Sequence, residues 1–139
     1  MTMPAGTYWI GDLCYVMTDE EWNEFCSITI DGMKCLDGEF TMKDGRRFAT
    51  YGTAWGDGLY QDQHHNNYAV DAGLIGCIKV EDIKAKKYDD IERLGKIHKF
   101  NHDFTTSGGR GHQDWDGVIR IGSIHIGTDA DEFEEESEY

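Results

Sequence analysis

The sequence is poor in proline, in basic residues and in long apolar runs. Pro4 is the only proline, against seventeen glycines in 139 residues. That balance suits short strands joined by tight turns rather than long helices. No apolar run is long enough to cross a bilayer as a helix. The opening, Met1 to Gly6, lacks the basic and apolar regions of a secretory signal, so a reducing cytoplasm is expected. The four cysteines, Cys14, Cys26, Cys35 and Cys77, form no Cys-x-x-Cys pair. Buried thiols are expected from them rather than a structural zinc site. There is no Gly-x-Ser-x-Gly elbow and no clear Cys–His pairing, so a nucleophilic enzyme is not expected. No cofactor is implied.

Basic residues are outnumbered, thirteen to twenty-seven, giving a net charge of −14. Half of that excess sits at the C-terminal end. Asp129, Asp131, Glu132, Glu134, Glu135, Glu136 and Glu138 follow Arg120 with no further Lys or Arg. Residues 1–127 are expected to form one β-rich domain, and 128–139 an acidic, disordered tail that repels itself. Phosphate backbones would be repelled, which disfavours direct nucleic-acid binding. A basic protein surface would be attracted, and its encounter rate raised. The plainer reading is that the charge only keeps the protein soluble.

What is abundant is aromatic and turn-forming. Four Trp, seven Tyr and six Phe are enough to fill a core. The stretch from Tyr51 to Ile78 is the densest in both kinds of signal. Trp55-Gly56-Asp57-Gly58 reads as one turn and His64-His65-Asn66-Asn67 as a second. Tyr68–Val70 starts a strand, Asp71-Ala72-Gly73 breaks it, and Leu74–Val80 reads as a buried strand. Upstream, Thr7–Ile10 and Cys14–Met17 read as strands. Thr18-x-x-Glu21 has the form of a capping box, with Trp22, Phe25 and Cys26 on one helical face. That helix is expected to run about two turns. Ser27–Ile30 is strand-like, and Asp31-Gly32 and Asp37-Gly38 are turns. Glu39–Lys43 and Arg46–Tyr51 flank Asp44-Gly45 as a hairpin.

Downstream, residues 80–87 suggest a helical turn carrying the basic cluster Lys84, Lys86 and Lys87, and residues 88–93 an acidic loop. Gly95–Phe100 is a strand that Asn101–Thr105 would continue, and residues 107–112 are a loop. Gly117–Gly122 and Ser123–Gly127 are final strands, with a bulge or tight corner between them. The expected fold is α+β and β-rich: a small antiparallel sheet, curled or barrel-like, with one short helix near the N-terminus.

Three motifs carry a resemblance. They are Gly6-x-Tyr8-x-Ile10-Gly11-Asp12-x-Cys14-Tyr15-Val16, Gly56-Asp57-Gly58-x-Tyr60-x-Asp62 and Tyr68-x-Val70-Asp71-Ala72-Gly73-x-Ile75-Gly76. Together they resemble a family of small bacteriophage and prophage proteins, over roughly residues 6–126. Leu13 stands where that family often has Pro, and His65-Asn66 where it usually has a Gly. The resemblance implies a phage origin and action inside an infected bacterium. It brings no catalytic residues. Small accessory phage proteins commonly bind and block host functions, including defence systems.

Several constellations bear on chemistry. Asp12 would be either a catalytic acid or, more simply, a turn residue accepting backbone N–H bonds. Asp57, Asp62 and Asp71 suggest a loose cation loop, but their spacing does not match an EF-hand. His98, Phe100, His102 and Phe104 would share one strand face, and His64-His65 would point to opposite sides. Residues 105–112, with Ser107, Gly108, Gly109 and Arg110, are the most suggestive loop for a phosphate. Trp55, Tyr60 or Trp115 would stack a base beside it.

Three functions follow. The first is a non-enzymatic inhibitor that imitates nucleic acid and engages a basic bacterial host protein, with Asp129, Asp131, Glu132, Glu134, Glu135 and Glu136 as contacts. The second is a protein that binds or degrades a small nucleotide at the glycine-rich loop. The third is a structural accessory component. A homo-oligomer is compatible with each.

Overall fold

The computed structural model describes residues 2–32, 34–84, 93–108 and 116–128. In chain order the strands are β1 (Gly6–Gly11), β2 (Ile30–Asp31), β3 (Lys34–Cys35), β4 (Gly38–Thr41), β5 (Arg47–Gly52) and β6 (Gly58–Asp62). They continue as β7 (Asn67–Val70), β8 (Leu74–Lys79), β9 (Lys96–Phe100), β10 (Thr106–Ser107), β11 (Val118–Ile121) and β12 (Ile124–Gly127). One α-helix among the described residues, α1, spans Asp19–Thr29.

The strands form two five-stranded antiparallel sheets, β4-β5-β8-β1-β9 and β10-β11-β12-β6-β7, with β2 and β3 as a separate pair. The β-rich α+β class is as the sequence implied. The single curled or barrel-like sheet is corrected: two sheets pack on a shared core, and among the described residues they do not close into a barrel.

The reason lies in β1, β5 and β8, which carry large side chains on both faces. Tyr8, Ile10, Ala49, Tyr51, Ile75 and Cys77 point to the second sheet, where Tyr60, Tyr68, Ile119, Ile121, Ile124 and Ile126 meet them. Their strand neighbours Trp9, Phe48 and Ile78 point the other way, onto Phe25 of α1, Leu13, Val16, Met17 and Met42. A sheet covered on both faces needs near-continuous apolar strands, and Leu74–Ile78 is one. Each large side chain buried this way contributes about 1.5–3 kcal/mol.

Glycines make this packing fit. The fully buried Trp9 ring lies close to where a Cβ on Gly11 or Gly95 would stand, at 2.5 and 2.6 Å. A Cβ on Gly76 would meet the Ala49 carbonyl oxygen at 1.9 Å. Between β5 and β1, the central strand β8 therefore has no room for a side chain there.

Local chemistry explains the departures from the sequence reading. Residues 13–15 form a 3₁₀ turn instead of a strand, because Asp12 caps it by accepting from Cys14 N at 3.1 Å. The capping box at Thr18 and Glu21 forms. The helix then runs eleven residues rather than two turns, taking in Ser27–Thr29. Thr29 Oγ1 donates to Phe25 O at 2.9 Å, and Trp22 stacks on Phe25 at 4.6 Å. Packing on the sheet outweighs the strand preference of Ile28 and Thr29. Asp37 makes no turn; it accepts Gly52 N at 2.9 Å, and Gly38 begins β4.

The hairpin about Asp44-Gly45 forms, pairing Phe40 with Phe48. Gly58–Asp62 is a strand, where the sequence signals only the turns on either side of it. Between β6 and β7, His65 takes a left-handed φ of 67°. Asn101–Thr105 does not extend β9. The chain bends at 101–102, and Phe104 folds back to stack on Phe100 at 3.9 Å, bridging to Met3. The corner between β11 and β12 is a hairpin turn with Gly122 at φ 58°. The expected 80–87 turn is present as Val80–Asp82. Residues 85–92, which hold Lys86, Lys87 and most of the expected acidic loop, lie outside the described residues, as does the acidic tail from 129 onward.

Candidate functional site

A partly open apolar cavity lies beside α1, at the end of the first sheet, with a volume of about 300 Å³. Trp22, Phe25, Cys26 and Thr29 of α1 form one wall. Ile30, which opens β2, and Leu36, which follows β3, form the lip, and both are exposed. Thr50 and Gly52 of β5 and Leu74 of β8 form the floor. Gly56, Ala72 and Gly73 close the far end.

That far end is held by hydrogen bonds. Thr53 N donates to Gly73 O at 3.0 Å, and Thr53 Oγ1 to Gly56 O at 2.7 Å. Tyr60 OH donates to the same Gly56 carbonyl at 2.8 Å. Asp12 fixes the neighbouring turn: its Oδ2 accepts Asp71 N at 2.8 Å and Ala72 N at 2.6 Å. Asp12 is fully buried and its oxygens are spent on three backbone donors, the turn role rather than the catalytic one. Burial pushes its carboxyl up, against the lowering effect of those bonds.

Two features suit the cavity to a ligand. The first is Thr50 Oγ1, buried on the floor and without a hydrogen-bond partner among the described residues. An unsatisfied buried hydroxyl costs about 1–3 kcal/mol. The second is the charge of the lining and of its sequence neighbours. Exposed Asp31 follows Ile30, exposed Asp57 follows Gly56, and exposed Asp71 precedes Ala72, while Asp37 lines the wall. No Lys or Arg among the described residues lines the cavity. The arrangement is an apolar slot lined by one acid, Asp37, with three exposed acids next to its lining residues in sequence.

The sequence-predicted residues fall as follows. Trp55 is 63% exposed and precedes Gly56 in sequence, but does not itself line the slot. Its loop is anchored by Ala54 N donating to Thr128 Oγ1 at 3.0 Å. Ser107 lies in β10 opposite Arg120, and Gly108 is buried against Ile119; neither lines the slot. Gly109, Arg110, Trp115 and the tail acids Asp129, Asp131, Glu132, Glu134, Glu135 and Glu136 lie outside the described residues. Sequence reasoning missed Thr50, Ile30 and Leu36. The available signal was two large apolar residues flanking a polar turn at Asp31-Gly32, which looks like an ordinary strand end.

Compared with known proteins, the chain stands apart. No family model, curated protein or solved structure matches it.

That geometry does not assemble nucleophilic or metal chemistry among the described residues. Burial, and then the Asp12 carboxylate, push the Cys14 thiol far up; burial does the same to Cys77. Neither is poised as a thiolate. No three His, Cys, Asp or Glu side chains gather to hold a metal ion among the described residues. Asp62 is committed to its own loop, accepting His64 N, Asn66 N, Asn66 Nδ2 and Tyr68 OH. His102 is exposed beyond the bend, so the expected His–Phe face ends at Phe100. Among the described residues no helix is long and apolar enough to cross a membrane.

Proposed function

We infer that the chain is a non-enzymatic binding protein that blocks a bacterial protein by occupying a basic surface on it. The observation that supports this best is the apolar slot, lined by Asp37 and by no Lys or Arg among the described residues, with exposed Asp31, Asp57 and Asp71 adjoining its lining in sequence. An apolar side chain of the partner would enter over Ile30 and Leu36, and a hydrogen-bond donor or acceptor on it would reach Thr50 Oγ1. Lys or Arg residues flanking that side chain would meet Asp31, Asp57 and Asp71. Trp55 would cover the closed end, as exposed tryptophans do at binding hot spots. The net charge of −14 would steer the encounter. The motifs resembling phage proteins suggest the setting, a bacterial host cell, and favour an inhibitor that imitates nucleic acid.

The experiment is a paired capture from bacterial lysate at low salt, with the full chain and Leu36→Glu. Leu36 is on the surface, so the variant leaves the core intact. A stoichiometric protein held by the full chain, released as salt rises and absent from the variant, is the expected result. Capture that is the same for both chains would refute the slot.

A further inference from the structure

A second groove, lined by no residue of α1, has the reverse character. It has a volume of about 710 Å³ and runs between the β6–β7 hairpin and the segment entering β9. Its lining includes Leu59, Asn66, Asn67, Arg93, Lys96 and Ile97. No acidic side chain among the described residues lines it. That is unexpected for a chain carrying twenty-seven acids.

Arg46, Arg47, Lys84 and Arg120 are each paired with carboxylates. Lys96 has no ion-pair partner among the described residues, and it lines the groove. Burial first, then Lys96 and His64, hold His98 below its usual value, and only Asp62 opposes them.

The groove also has an ordered polar edge. Asn66 Nδ2 donates to Asp62 Oδ2 at 3.0 Å, and Asn67 Oδ1 accepts from Gln61 Nε2 at 2.9 Å. Each amide is locked by one bond and keeps its other group for a ligand: an acceptor on Asn66 and a donor on Asn67, side by side in sequence. Beside them Leu59 is 57% exposed, an apolar surface in a cationic groove.

We propose that this groove binds a nucleoside phosphate, with Lys96 holding the phosphates, Leu59 and Ile97 packing on the base, and Asn66 and Asn67 reading its edge. The volume is of the size that small-molecule ligands fill. A nucleobase presents donors and acceptors in one plane beside an apolar face, and its phosphates carry the negative charge this chain otherwise repels. A bare inorganic anion would leave Leu59 and the two amides unused. An acidic peptide would use the cations and no flat face. The nucleotide site expected from sequence at residues 105–112 involves a different part of the chain, and this groove does not depend on it.

The test uses the full chain and three probes: ATP, inorganic tripolyphosphate and a poly-glutamate peptide. Binding is followed by calorimetry and by amide shifts. ATP is expected to shift Asn66, Asn67, Lys96 and Ile97. Lys96→Glu should weaken ATP on the order of tenfold, about 1.4 kcal/mol. Leu59→Ala should weaken ATP several-fold and leave tripolyphosphate unchanged. Neither residue belongs to the buried core or to the slot beside α1. Tripolyphosphate or poly-glutamate binding as tightly as ATP would overturn the nucleoside assignment. So would ATP shifts that persist unchanged in Lys96→Glu, or no shift at millimolar ATP.

Discussion

Replacing Thr50 by Val isolates the slot's one anomalous atom. Thr50 is 2% exposed, and its hydroxyl has no partner among the described residues. Val has nearly the same shape and the same branching at Cβ, and it suits a strand such as β5. The substitution removes the unsatisfied group and adds a methyl to an apolar surround of Trp22, Phe25 and Leu74. Leaving a buried hydroxyl unpaired costs about 1–3 kcal/mol, and part of that cost is recovered. A gain of about 1 kcal/mol is expected. With an unfolding entropy of about 2.1 cal/mol/K per residue, a chain of this size should melt about 3 °C higher. Partner affinity should move the other way and fall about threefold to tenfold, because the ligand loses its hydrogen bond to the floor. Thermal melts and calorimetry on the same preparations read both quantities. A Thr50→Val chain less stable than the parent by about 0.5 kcal/mol or more, the edge of the range that substitutions without a specific mechanism produce, would refute the reasoning: the hydroxyl would then be satisfied in solution.

Other changes probe the scaffold. Gly76→Ala puts a Cβ 1.9 Å from the Ala49 carbonyl oxygen, so β5 and β8 must separate. A loss above about 3 kcal/mol is expected by chemical denaturation, and a loss below about 1 kcal/mol would contradict the described register. Arg46 joins the β4–β5 hairpin to Glu21 of α1 and to the Asp82 carbonyl. Arg46→Ala should cost about 2 kcal/mol, and a double-mutant cycle with Glu21→Gln should show coupling; strict additivity would deny the pair. Asp62 accepts four hydrogen bonds from His64, Asn66 and Tyr68. Burial, the largest influence, raises its pKa, but those bonds together outweigh it and hold the carboxyl below its usual value. Because the folded pKa is depressed, its stabilisation is full above the unfolded Asp value, about 3.9, and is lost as pH falls through the folded one. Asp62→Asn should therefore flatten the acid limb of stability against pH; an unchanged limb would place that titration elsewhere.

Much of the fold was legible because its signals are local. The Thr18–Glu21 capping box, the Asp44-Gly45 hairpin and the apolar run of β8 each act over a few residues. The two-sheet arrangement was harder to read. It follows from β1, β5 and β8 being apolar on both faces, which a period-two reading of single strands does not reveal. The helix end was misjudged where Phe25 and Trp22 packing overrode the preference of Ile28 and Thr29. The slot was not legible, since it joins residues from α1, β5 and two turns far apart in the chain. Ile30 and Leu36 look like core residues until the fold leaves them at the lip. Of the predicted ligand residues that the structure describes, none lines it, and only Trp55 adjoins a lining residue, Gly56, in sequence.

The most direct test of the central claim is an NMR titration with two short peptides, acetyl-Lys-Arg-Trp-Lys-amide and acetyl-Glu-Glu-Trp-Glu-amide. The account predicts that the basic peptide shifts Ile30, Leu36, Thr50 and Leu74, that the shifts shrink with added salt, and that Leu36→Glu abolishes them. Shifts that are equal for both peptides, or that avoid those four residues, would contradict it.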